Sequence, residues 1–336
     1  STTVGWCSGG SVGADFAPPE GGGGGADGGR PADGVFRGRG GGGGTGSVTA
    51  AEGTAVAVPA PAASRFVWME PNGSDEAVTV GAMLFTLVDP SKGHEADYNR
   101  WYESDHLYSG CMVGPWLFAG RRWVATRDLK DLRVPDGVPD DAAVARPVDA
   151  GSYLATYFIH GGHEAEHFAW ANKQVFELYD NDRGFDERHH AHTSLYFFVG
   201  EHRGVSSVPA HMALDHPYGG LVSIHVDREN DVRHEEYAQW FDEVVSPTLL
   251  DGSGPVELVL DWRPIIPKGS EGNAPMELGT GPGTRQRSLQ LLFCGSQPGR
   301  SFDPQRDWDT ITEVVDRIEE SSLATVRLAA PFLPTI

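Results

Sequence analysis

The sequence predicts an α+β fold in which two tandem ferredoxin-like β-α-β-β-α-β repeats pack as an intramolecular α/β barrel. Three observations carry the prediction. Residues 94–123 have a later copy at 234–262: Tyr98, Trp101 and Tyr102 match Tyr237, Trp240 and Phe241 at a constant offset, and Gly114-Pro115 matches Gly254-Pro255. Strand-like and helix-like segments follow in the same order in both halves. Each half also carries a long loop rich in Pro with Asp or Gly in the same place, 130–151 in the first and 264–284 in the second.

In chain order, residues 78–88 are a β-rich apolar run ended by Asp89-Pro90, the mark of a buried strand. Tyr98, Trp101, Tyr102, Asp105 and Ser109 then recur at the spacing of one helix face over about 97–108. Strands are expected at 116–126 and 153–159, a helix at 163–179 after Gly161-Gly162, and a fourth strand at 192–199. Residues 201–218 read as a linker. The second half repeats the order: strand 221–226, helix 235–245, strands 257–262 and 288–294, helix 308–320, strand 324–330. One such unit leaves a sheet face bare, whereas two units cover each other's bare faces. The repeats are bounded at 78–200 and 219–336, with a cavity expected between the sheets.

Residues 1–77 are set apart as a disordered, Gly-rich low-complexity segment. Nineteen of the 44 glycines lie in residues 1–50, and residues 1–60 contain no Leu, Ile or Met, too little apolar surface to offset the entropy of ordering. The chain begins at Ser1 and its first methionines are Met69 and Met83, so it reads as a fragment or as an over-extended reading of a GC-rich upstream region. It has no secretory-type apolar run, and no 18-residue apolar stretch follows, which points to a soluble, cytoplasmic protein. A formal charge of −21 argues against nucleic acid or an anionic membrane as partner, leaving a small-molecule ligand, with a homodimer compatible. Cys7, Cys111 and Cys294 are odd in number and far apart, which fits neither a disulfide framework nor a Cys-ligated metal.

The difference between the copies locates a candidate site. The first copy has Asp105-His106 where the second has Val244-Val245. A place that valine fills in one copy is buried or half buried, so an acid and an imidazole there need partners, a ligand or a proton to move. His106 is the expected general acid or base, with Asp105 orienting it. In the second strand, alternation sends Arg121 and Arg122 to opposite faces, so one arginine is expected in the cavity, able to hold a carboxylate, phenolate or enolate. Tyr98, Trp101 and Tyr102 would line it.

The aromatic-rich helix ending in Asp105-His106, together with the β-α-β-β-α-β order, resembles the dimeric α/β-barrel superfamily, and within it the EthD-like and stress-responsive barrel proteins. The resemblance covers residues 78–334 at fold level and is specific over Tyr98–His106; the proline usual soon after the histidine is absent, the first being Pro115. It implies a small-molecule enzyme performing cyclase, isomerase, lyase or cofactor-free oxygenase chemistry on a carbonyl-activated or aromatic substrate, with no cofactor indicated.

Two alternatives stand beside this reading. A duplicated barrel can sequester an apolar ligand without chemistry. Residues 163–167 match the H-E-x-x-H pattern of zinc peptidases, with Glu187 as a conceivable third ligand, and His190 and His192, expected on one strand face with Ser194 and Tyr196, form half of another metal site.

Overall fold

The computed structural model describes residues 77–204, 207–266, 274–295 and 301–335. The Gly-rich segment set apart above lies outside the described residues, save its last position. Residues 77–336 group as one compact unit.

Eight antiparallel strands close a ring: β1 (Val80–Pro90), β2 (Leu117–Val124), β3 (Tyr153–His160), β4 (Arg188–Arg203), β5 (Gly220–Arg228), β6 (Val256–Pro264), β7 (Arg287–Cys294) and β8 (Ala324–Pro334). The order around the ring is β1-β3-β2-β8-β5-β7-β6-β4. Each half therefore has the same internal order, β4-β1-β3-β2 and β8-β5-β7-β6, and the halves join edge to edge through β2–β8 and β4–β6. The β4–β6 seam is a full ladder, whereas the β2–β8 seam that completes the ring is two residue pairs long, Trp123 with Pro334 and Val124 with Leu333. β4 runs on to Arg203, past the expected start of the linker, because its last residues pair with β6.

Among the described residues six α-helices accompany the strands: α1 (Glu95–Trp101), α2 (Arg127–Lys130), α3 (Glu164–Asp180), α4 (His234–Trp240), α5 (Ser246–Leu249) and α6 (Pro304–Glu320). α1 passes directly into an eleven-residue π-helical stretch, Tyr102–Met112, whereas α4 is followed by only five such residues, Phe241–Val245. The matched aromatics keep their geometry in both copies, with Tyr98–Trp101 ring centres 5.9 Å apart and Tyr237–Trp240 5.8 Å apart. Among the described residues no helix is long and apolar enough to cross a membrane.

The ring is filled, which corrects the expectation of a hollow between the sheets. One apolar cluster draws on all eight strands, including Met83, Trp123, Phe158, Tyr196, Leu221, Leu260, Leu291 and Leu328. Eight strands enclose little more than side chains can fill, and here large rings occupy the space. Segment 210–218 packs against this cluster with Ala210, Ala213, Leu214 and Tyr218, beside the start of β5, and segment 129–145 does so with Leu129, Val144 and Ala145. The helices cover the outside of the ring in two separate layers. In the second half α4 and α6 bury Tyr237, Phe241, Trp308, Ile311 and Ile318 against the sheet. In the first half α3 buries only His167 and Leu178, and the space beneath α1 is lined with polar and aromatic groups.

Candidate functional site between helix and sheet in the first half

Tyr98, Trp101, Tyr102 and His106 descend from α1 and its π-helical extension onto the outer face of the sheet, where Arg122, Tyr153, Tyr157 and Cys111 meet them. The expected site residues are thus brought together outside the ring rather than inside it. The reason is register: Trp123 points into the ring core, so its neighbour Arg122 must point out, beneath the helix. Arg121 takes the inner direction, lies over the Trp123 ring at 4.6 Å, and donates to the carbonyls of Leu214, His216 and Tyr218. It ties down segment 210–218 and does not join the Tyr98 cluster.

Arg122 is buried and held through both terminal nitrogens. It donates to Glu103 at 2.7 Å and to Asn99 at 2.8 Å, with its guanidinium 4.2 Å from the Tyr102 ring centre. The hydroxyls of Tyr102 and Tyr157 share a 2.5 Å hydrogen bond, and burial pushes both phenols well above their ordinary range. Burial likewise raises Tyr98 to about 12 and the Cys111 thiol to about 11. These groups are neutral packing partners around a cation.

His106 is half buried and stacks on Trp101, ring centres 4.3 Å apart with an 18° interplanar angle. Its other edge rests on Gly110, where an added Cβ would stand 2.6 Å from Nδ1, so the π-helical turn needs a residue without a side chain. Burial, then the positive charge of Arg188, pull its pKa down to about 3, and it is neutral. Asp105 does not orient it: that carboxylate binds Arg183 and Ser109, and the Arg183 bond chiefly holds its pKa below the ordinary range. Adjacent residues on a helix diverge by about 100°, and the copies show the same split, with Val245 buried where His106 sits and Val244 exposed where Asp105 sits.

Two further residues belong here. Arg188, at the start of β4, is half buried, lies 4.7 Å over the Trp101 ring and donates to the Tyr179 hydroxyl at 3.2 Å. No carboxylate pairs with it among the described residues, and its Nε is buried without a partner. His190 lies on the same outer face, bonded to Thr193 at 2.7 Å, and burial followed by the Arg188 charge lowers it to about 3. The expectation that His190 and His192 share a face is corrected by a β-bulge: Leu87 pairs with His192 but Val88 pairs with His190, so Ala191 is an extra residue that turns the two rings to opposite sides. Arg188 was legible only as part of a charged lead-in to a strand, and His190 only as half of a metal pair with His192.

His192 points into the ring, where Nε2 meets the Tyr196 hydroxyl at 2.8 Å and Nδ1 meets Thr280 at 2.9 Å. His225 faces it with ring centres 5.6 Å apart, and neither of its nitrogens has a partner among the described residues.

The H-E-x-x-H stretch is not arranged as a metal site. His163 stacks on Trp116 at 3.5 Å, and His167 Nδ1 bonds the Pro115 carbonyl at 2.7 Å. Glu187 lies 3.9 Å from His94 instead. Among the described residues no three His, Cys, Asp or Glu side chains are placed to hold a metal ion.

No protein-family model matches the chain, and no curated protein matches it in sequence. Solved structures resemble it at the level of fold. A putative monooxygenase from Fusobacterium nucleatum is 11% identical, over 77% of this chain and 93% of that one, with a TM-score of 0.40. A putative chlorite dismutase is 9% identical over 77% and 96%, with a TM-score of 0.43. A dye-decolorizing peroxidase from Bacteroides thetaiotaomicron is 10% identical over 78% and 95%, with a TM-score of 0.41. Likeness this distant carries no functional inference. The closed ring of two β-α-β-β-α-β units stands on the chain's own strand pairing, and by it the chain has the dimeric α/β-barrel fold, with both halves on one polypeptide.

Proposed function

We propose that the chain is a small-molecule enzyme whose site is the helix–sheet layer of the first half, acting by proton transfer on an aromatic or carbonyl-activated substrate that carries or develops negative charge. The observation that carries this reading is Arg188: a half-buried guanidinium without a carboxylate partner among the described residues, lying over Trp101 and beside two neutral imidazoles, His106 and His190. An arginine so placed favours an enolate, phenolate or carboxylate. Such an anion would offset the Arg188 charge, the second cause of the low His106 pKa after burial, and would itself favour the imidazolium, so the pKa would rise towards the range where an imidazole moves protons. Trp101, which is partly exposed, would border the substrate ring, with buried Tyr98 and Tyr102 packed behind it. Arg122, already held by Glu103 and Asn99, orders the helix above the site and stabilises the same negative charge at longer range.

The test is deuterium exchange at the α-carbon of phenylacetone in D2O, followed by NMR. His106→Ala and Arg188→Leu are each expected to lose at least ten-fold of the exchange rate, while His225→Ala retains it. Equal rates in all three variants would dismiss the reading. Sequestration of an apolar ligand without chemistry is favoured by one feature, the low pKa that burial gives His106 in the free protein. Binding of 4-nitrophenolate without any exchange activity would select it.

A further inference from the structure

A separate cavity of about 370 Å³ lies where segment 135–148 crosses the second half's end of the ring, walled by Pro135, Val138, Ala145, Pro147 and Leu328, with three charged residues in its lining, Arg146, Arg327 and the acid Asp140. Arg327 owes its position to a β-bulge. His225 pairs with Leu328 while Val226 pairs with Val326, leaving Arg327 as the extra residue of β8. Bulges re-aim side chains at the rims of barrels, and this one sends a guanidinium to the mouth. Nε of Arg327 donates to Asp227 at 2.9 Å, while Nη1 and Nη2 have no partner among the described residues. Asp227 is already held by Arg287, Nε at 2.6 Å and Nη2 at 3.1 Å, so two arginines share one carboxylate and a positive charge is left over.

The walls are fixed before any ligand arrives. Arg287 also donates from Nη2 to the Ala142 carbonyl at 2.8 Å, Val134 pairs with Ala329, and buried Arg133 donates to the carbonyls of Val148, Ala150 and Gly151. The site thus combines an apolar body of suitable volume for a small organic molecule with a guanidinium that has two donors in a plane without partners among the described residues.

We infer that this cavity is a second ligand site, independent of the helix–sheet layer, and that it takes a small aryl or alicyclic carboxylate, the ring against the Pro, Val and Leu walls and the carboxylate on the outer edge of Arg327, with Arg146 at the rim. The apolar walls argue for an organic anion over an inorganic one, and the planar pair of donors matches a carboxylate.

Isothermal titration calorimetry of the full chain with benzoate, benzamide and inorganic phosphate tests it. Saturable benzoate binding, at least ten-fold weaker with Arg327→Leu and with Arg146→Ala and absent with benzamide, is the expected result. Arg146 is exposed and among the described residues donates only to the Asp140 carbonyl, so its substitution reads the site even where loss of Arg327 disturbs Asp227. No saturable binding, benzoate binding unchanged in both variants, or phosphate bound as tightly as benzoate would overturn the inference. So would loss of benzoate binding in Arg188→Leu with Arg146→Ala unaffected, which would place the anion in the helix–sheet layer.

Discussion

Arg122 and Asp261 occupy the same place in the two halves with opposite charge. Each immediately precedes the tryptophan that points into the ring, Trp123 pairing with Leu154 and Trp262 with Leu289, and each lies beneath the matched helix, near Tyr98 in one half and Tyr237 in the other. The duplication kept the frame and inverted the buried charge, and each charge has recruited its own partners: Glu103 and Asn99 for Arg122, His202 for Asp261.

His202 gives the second half a pH-dependent clasp. Its Nε2 meets Asp261 at 2.6 Å and its Nδ1 meets Asp242 at 2.8 Å. Burial alone would lower its pKa; the bond and charge of Asp261, then those of Asp242, outweigh this and raise it to about 8. The folded state binds the proton more tightly than the unfolded one, so the clasp's contribution of about 2 kcal/mol is complete below the unfolded value near 6.5 and is lost as pH rises through about 8. Denaturant midpoints measured from pH 6 to 9 should fall over that window, and His202→Gln should flatten the fall.

Acid destabilises by a different route. His106, His190 and His192 are each held near 3, so the unfolded chain takes up protons below about 6.5 that the folded chain refuses. Stability is therefore expected to drop as pH falls from 6.5 towards 3, by up to about 1.4 kcal/mol per pH unit for each imidazole. An acid limb that is no shallower in His192→Phe than in the parent would contradict this.

The Arg122 clasp should be strongly directional. Glu103→Ala leaves a buried guanidinium with Asn99 as its remaining polar partner and is expected to cost about 2 kcal/mol, at the low end for breaking a buried pair because the carboxylate itself is largely solvated. The exposed Asp97–Arg100 pair, one turn earlier, should be worth under about 0.5 kcal/mol in the same urea titration.

His225 offers a change in the opposite direction. A fully buried ring with two unpaired nitrogens among aromatic neighbours is a standing cost, and His225→Leu, of similar volume, should raise stability by about 1 kcal/mol or more. A loss of stability on calorimetric melting would mean that the imidazole has partners within the ring.

Much of this fold was legible because the two copies could be compared. Tyr98, Trp101 and Tyr102 identified the helix, and the contrast of His106 with Val245 marked a buried position correctly. What stayed hidden was which surface that position faces. A helix in such a unit packs on the outer side of the sheet, so its buried stripe cannot reach the inside of the ring, and the apolar pattern of both layers reads alike in sequence. The bulges at Ala191 and Arg327 were equally invisible, since one extra residue in a strand leaves no compositional mark, yet they decide where His190, His192 and Arg327 point. The long π-helical stretch depends on a ring resting on Gly110, a tertiary contact that spacing does not report.

The most direct test is an NMR titration of the His106 imidazole with and without saturating 4-nitrophenolate. With the anion bound, its pKa should rise from about 3 in the free protein, and Arg188→Leu should abolish that anion-dependent rise. A His106 that stays near 3 in the presence of the anion, or that shifts equally without Arg188, would contradict the assignment of the site.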